Sequence, residues 1–130
     1  MIMHTKAILP NPAFDQKLTY SPAIEVTGAT RTLYISGQVG VDANGVIPAG
    51  ITEQSQLVWE NMLAVLAAAG MSVANIVKLT TFLTAADDFA AFVKVRSHVL
   101  GAHKPASTLL IVAGLAKPEW KVEVEAIAVA

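Results

Sequence analysis

The chain has 130 residues, nine Lys plus Arg against ten Asp plus Glu, a formal charge of −1 and no cysteine. The length fits one domain over residues 1–130, the charge balance speaks against a nucleic-acid-binding module, and the cysteine count excludes disulfides, thiolate metal sites and cysteine nucleophiles. Charged residues make up only 15% against a usual ~25%, although a small domain exposes much surface per unit volume, so other copies of the chain are expected to cover part of it.

The N-terminal segment Met1–Lys6 lacks the basic-then-apolar order of a signal peptide. The longest apolar run, Met62 to Met71 with Gly70 counted, is ten residues, and a membrane span needs ~20. A soluble, cytoplasmic protein with no membrane partner is expected. A short edge strand is predicted at 6–9. Pro10 and Pro12 then force a loop, since proline disfavours helix at the residue before it. Two strands follow at 23–26 and 32–39, joined by turn chemistry at Thr27-Gly28-Ala29-Thr30. By the two-residue strand period, Leu33, Ile35 and Val39 share one face and Tyr34, Ser36 and Gln38 the other.

Residues 40–50 read as a loop. A helix is predicted from Thr52 to Ala69, because Val58, Met62, Val65, Leu66 and Ala69 recur on one helical face, with Gly70 as a left-handed stop. Ile76 to Leu83 is β-branched and apolar on both parities, which predicts a strand covered on both faces. A second helix is expected over 86–100, with Asp87 and Asp88 near its positive end. Strands at 107–112 and 120–129 complete the chain. In the last, Val122, Val124, Ala126 and Ala128 face one way, and Glu123, Glu125, Ile127 and Val129 the other. The connections containing helices are long enough to cross over between parallel strands. The expected architecture is α+β, a mixed sheet with both helices on one face. The other face has nothing in its own chain to cover it.

Phosphate-binding loops are absent from the sequence. His98 and His103 are five apart across a helix end, which does not place two metal ligands on one helical face, so no metal site is expected. The informative residues are polar ones on otherwise apolar strands: Ser36 at the end of one, Ser107-Thr108 opening another, and Glu123 and Glu125 in the last. A carboxylate on a strand built for burial needs water, a partner or a task.

These segments carry a family resemblance. Tyr20-Ser21-Pro22-Ala23 and Leu33-Tyr34-Ile35-Ser36-Gly37-Gln38-Val39-Gly40 are similar to the opening of the RidA family, also called YjgF or L-PSP endoribonuclease-like. The similarity continues through Asn61 to Gly70, Val77 to Thr84, Asp87 to Ala90, His103-Lys104-Pro105-Ala106-Ser107-Thr108 and Val122 to Ala128. It implies a chorismate-mutase-like fold, and a homotrimer whose sheets form a central barrel with small-molecule clefts between subunits. It also implies hydrolysis of 2-imino acids or their enamine tautomers without metal or organic cofactor.

Carried over by position, the resemblance gives Tyr20 and Glu125 catalytic roles, Glu125 on the attacking water. Ser36, Ser107 and Thr108 become substrate-binding groups. In the family an arginine follows the Pro-Ala step and holds the substrate carboxylate; here that position is Ser107, a neutral single donor in place of a charged planar fork. In helix two the usual asparagine is Val93 and the usual tyrosine is Arg96, the one arginine offered as a replacement cation. Loss of the strand anchor is expected to slow simple imino-acid turnover by at least ~10–100-fold. The leading expectation is therefore an imine or enamine deaminase with a substrate other than the simple 2-imino acids. A non-catalytic metabolite-binding or interaction scaffold and an endoribonuclease are the alternatives.

Overall fold

The computed structural model describes residues 2–130; Met1, which opens the N-terminal segment read above, lies outside the described residues. Strands β1 (His4–Ile8) and β2 (Ala23–Thr27) form an antiparallel pair of their own. Between them lies a short helix α1 (Pro12–Asp15) that the sequence reading assigned to a loop. Proline at its first position suits a helix start, where no N–H is required. The Asp15 carboxylate closes the turn by accepting from the Asn11 N–H at 2.8 Å.

The main sheet has the order β3-β6-β4-β5, with β3 at Thr32–Val39, β4 at Ile76–Leu83, β5 at Ala106–Ile111 and β6 at Val122–Val129. β6 runs antiparallel to both neighbours, and β4 pairs parallel with β5. Helices α2 (Ile51–Ala68) and α3 (Phe89–Leu100) cover one face. This is the mixed-sheet α+β architecture the sequence predicted. α3 starts three residues late, because Ala86–Asp88 forms a 3-10 turn first. Gly70 takes φ 71° just beyond α2, the predicted left-handed stop.

The core lies between sheet and helices. It gathers Val58, Trp59, Met62 and Leu66 of α2, Phe92 and Leu100 of α3, and Leu79, Leu83, Val122, Val124 and Ala126 of the sheet. Gln54 is fully buried beside it and fully engaged. Its amide donates to the Pro48 and Glu119 carbonyls at 2.8 Å each and accepts from the Lys121 N–H at 2.8 Å. One side chain thus ties the loops 40–50 and 117–121 to α2.

The opposite sheet face is open. β4 is buried on the helix side at Leu79, Thr81 and Leu83 but only partly covered at Lys78, Thr80 and Phe82, so within one chain the expected two-sided cover is one-sided. A bulge in β3 corrects a second expectation. Ile35 pairs with Ala126, but Gln38 pairs with Val124, so Ser36 and Gly37 together oppose Glu125. An extra residue in one strand reverses the parity beyond it. Gln38 therefore falls in register with helix-side Val124, and Val39 with open-face Glu123.

Candidate functional site

On the open face the pairing registers align polar side chains across four strands. Thr80 on β4 stands opposite Thr108 on β5 and opposite Glu125 on β6. The β3 bulge adds Ser36 at the far side of Glu125. The Lys78 ammonium donates to Thr108 Oγ1 at 2.8 Å. Ser36, Lys78, Thr80 and Glu125 line one depression, together with Tyr34. The rows beside it are largely apolar: Ile127 beside Tyr34 on one side, Phe82 and Leu110 on the other. Glu125 is exposed there, nearer solvent than half-buried Glu123. A carboxylate with water access, a lysine nearby and three hydroxyl neighbours can hold a water and exchange a proton with it.

The remaining site residues gather on the helix side. β5 alternates, so Ser107 pairs with core-facing Leu79 while Thr108 pairs with open-face Thr80. Tyr20 reaches Ser107 because the chain before β2 is pinned to the start of β5. The Ser21 N–H donates to the Pro105 carbonyl at 3.1 Å, Ser21 Oγ donates to the Lys104 carbonyl, and Ser21 bridges to Ala106. Thr19, Tyr20, Leu79, Arg96, Pro105 and Ser107 line one narrow crevice.

Arg96 is the member whose burial is unexpected. A lone helix arginine reads as a solvated residue, yet Arg96 is only 6% exposed. It occupies the middle of the buried stripe Phe92–Arg96–Leu100, spaced at i, i+4 and i+8 on α3. Its Nη2 donates to Thr19 Oγ1 at 3.3 Å, and its guanidinium lies 5.9 Å from the Phe92 ring centroid. Burial pushes its pKa below the ordinary arginine value, with no carboxylate acting in the other direction.

The structure thus brings Ser36 and Glu125 together on one face, with Thr108 in the same row. It brings Tyr20, Ser107 and Arg96 together on the other. It does not join the two sets within one chain. Lys78 and Thr80 were missed in the sequence. The available signal was a lysine and a threonine alternating within an apolar strand, where one face must be wet. Among the described residues no three His, Asp or Glu side chains cluster as a metal site would require.

A mixed sheet with an open polar face and helices behind it, carrying a carboxylate in a depression, defines a small α+β domain class. The sequence model of the family described as Endoribonuclease L-PSP matches residues 11–130. Escherichia coli TdcF, named a putative reactive intermediate deaminase, is 37% identical over 112 residues, covering 83% of this chain and 86% of its own. The mouse 2-iminobutanoate/2-iminopropanoate deaminase is also 37% identical over 112 residues, with 85% and 80% covered. Among solved structures, the Rid-family protein YyfB of Yersinia pestis, of unknown function, superposes with a TM-score of 0.85 at 31% identity, covering 97% of this chain and 98% of its own. E. coli TdcF with bound serine superposes at 0.73 and 36% identity, with 85% and 86% covered. The chain belongs to the RidA/YjgF (L-PSP endoribonuclease-like) family.

Proposed function

We propose that this chain, acting as one domain over residues 1–130 in the cytoplasm, hydrolyses the carbon–nitrogen bond of an imine or enamine on a substrate other than the simple 2-imino acids. In that reaction water adds to the C=N carbon, the nitrogen leaves as ammonia, and a carbonyl compound remains. Glu125 takes a proton from the attacking water and returns one to the departing nitrogen. Tyr20, Ser36, Ser107 and Thr108 supply hydrogen bonds. No metal or organic cofactor enters the scheme.

The observation that carries this reading is Glu125, an exposed carboxylate in a strand otherwise built for burial, standing beside Thr80 and Ser36. The separation of the site residues supports a homotrimer. Ser36 and Glu125 lie on one sheet face and Tyr20, Ser107 and Arg96 on the other, so the complete cleft is formed between copies of the chain. The names of the deaminase relatives support the reaction class. Serine bound to TdcF supports a ligand of amino-acid size.

The test is ammonia release from imines generated in situ, comparing 2-iminopropanoate with larger or differently substituted imines. Slow turnover of 2-iminopropanoate and faster turnover of another imine supports the reading. Glu125→Gln is expected to reduce turnover by about 10²-fold or more. A second reading, a non-catalytic metabolite-binding scaffold, is favoured by one observation: Ser107 offers a hydroxyl at the strand position expected to grip acids. Binding of a small ligand that is unchanged in Glu125→Gln, with no turnover in either protein, would select it.

A further inference from the structure

We infer that Arg96 is a specificity-determining residue: it holds the anionic group of the ligand, from α3 rather than from β5. The inference deepens the reading above by assigning the substrate a carboxylate, and it rests on that reading for the reaction though not for the binding. A guanidinium carries five N–H donors and one positive charge. Burying it is costly unless it is paired. Arg96 is 6% exposed, and its hydrogen bond among the described residues goes to one neutral hydroxyl, Thr19 Oγ1, at 3.3 Å. The Phe92 ring 5.9 Å away offers weak compensation. Among the described residues the guanidinium has no further hydrogen-bond partner, and its charge meets no carboxylate.

The surroundings suit an anion. Arg96 lines the crevice shared with Tyr20 and Ser107, which is closed to a water-sized group, and an adjoining open depression of about 200 Å³ that includes His103 and Lys104 and leaves room for a carboxylate. The side chains around Arg96 in these two hollows are apolar, hydroxyl-bearing, histidine or lysine; none is acidic. A planar fork with the hydroxyl-bearing Thr19, Tyr20 and Ser107 around it suits the two oxygens of a carboxylate. The cation enters from the helix instead of the strand, so the acid it holds sits differently from one gripped at position 107. That displacement accounts for a substrate that is acidic and still not a simple 2-imino acid.

The experiment is calorimetric titration of the unmodified protein with 2-oxobutanoate and with its neutral amide at matched ionic strength. The acid is expected to bind about tenfold tighter or more. In Arg96→Gln that preference disappears, with the amide affinity unchanged; in Arg96→Lys part of it remains. Equal affinities in the unmodified protein, no detectable acid binding, or an acid preference that survives in folded Arg96→Gln overturns the inference. Should Arg96→Gln fail to fold, a crystal of the unmodified protein soaked with 2-oxobutanoate decides. A carboxylate within hydrogen-bond distance of Arg96 supports the assignment, and one seated elsewhere overturns it. Turnover of imines is scored separately. An Arg96-dependent acid preference without turnover refutes the hydrolase and leaves this inference standing; turnover without that preference does the opposite.

Discussion

Glu125 on β6 stands directly across from Thr80 on β4, in a register that also sets Thr80 against Thr108. Three adjacent strands therefore present a hydroxyl, a hydroxyl and a carboxylate in one line. The β3 bulge brings Ser36 to the other side of the carboxylate.

Because Glu125 is exposed, removing its charge should affect chemistry and leave the fold intact. Glu125→Gln is expected to reduce imine hydrolysis by about 10²-fold or more while changing stability by under about 0.5 kcal/mol. Ammonia release and a urea melt on the same preparation check both halves. Retained turnover would remove Glu125 from the reaction.

Ser107 and Arg96 line the same crevice. Placing an arginine at position 107 should crowd two cations into it. Ser107→Arg is expected to destabilise the chain by about 2 kcal/mol, and Arg96→Tyr in the same chain to recover most of that loss. Urea unfolding of the four proteins of this cycle measures the coupling. Additive effects would mean that the two positions do not share a site.

Gln54 makes all three of its side-chain hydrogen bonds to the backbone of two loops and none to a side chain. Gln54→Leu leaves two carbonyls and an N–H unpaired and should cost about 3 kcal/mol. Gln56→Leu, exposed two residues further along α2 and on its other side, should change stability by under about 0.5 kcal/mol. Gly40 tests the same junction from the loop side. A Cβ there would lie 2.7 Å from Gln54 Cα, so Gly40→Ala is expected to lose about 1–3 kcal/mol.

β5 is the edge of the main sheet, and its Leu110 and Ile111 are 46% and 49% exposed. On the homotrimer reading a neighbouring copy covers such apolar surface. Light scattering of the unmodified protein should give three times the chain mass of 13.7 kDa. Leu110→Asp should shift the population toward the single chain. A monomeric unmodified protein would remove the shared cleft from the proposed function.

The six strands in chain order, the two long helices and the division of β6 into two faces were legible from residue order alone. Those features follow from local periodicity: Val122, Val124, Ala126 and Ala128 alternate with polar or larger residues, and the α2 stripe repeats at helical spacing. The resemblance was legible for the same reason, as short motifs in chain order. Other features were decided only by tertiary structure. The β3 bulge flips Gln38 to the helix side because register depends on the partner strand, which local alternation does not contain. The division of Ser107 and Thr108 between two faces came from the same source. Arg96 shows the point most sharply. Its charge suggests solvent, yet the packing of α3 between Phe92 and Leu100 turns it inward toward Thr19. A helix position's environment is set by what packs against it, and that information lies in residues far away along the chain.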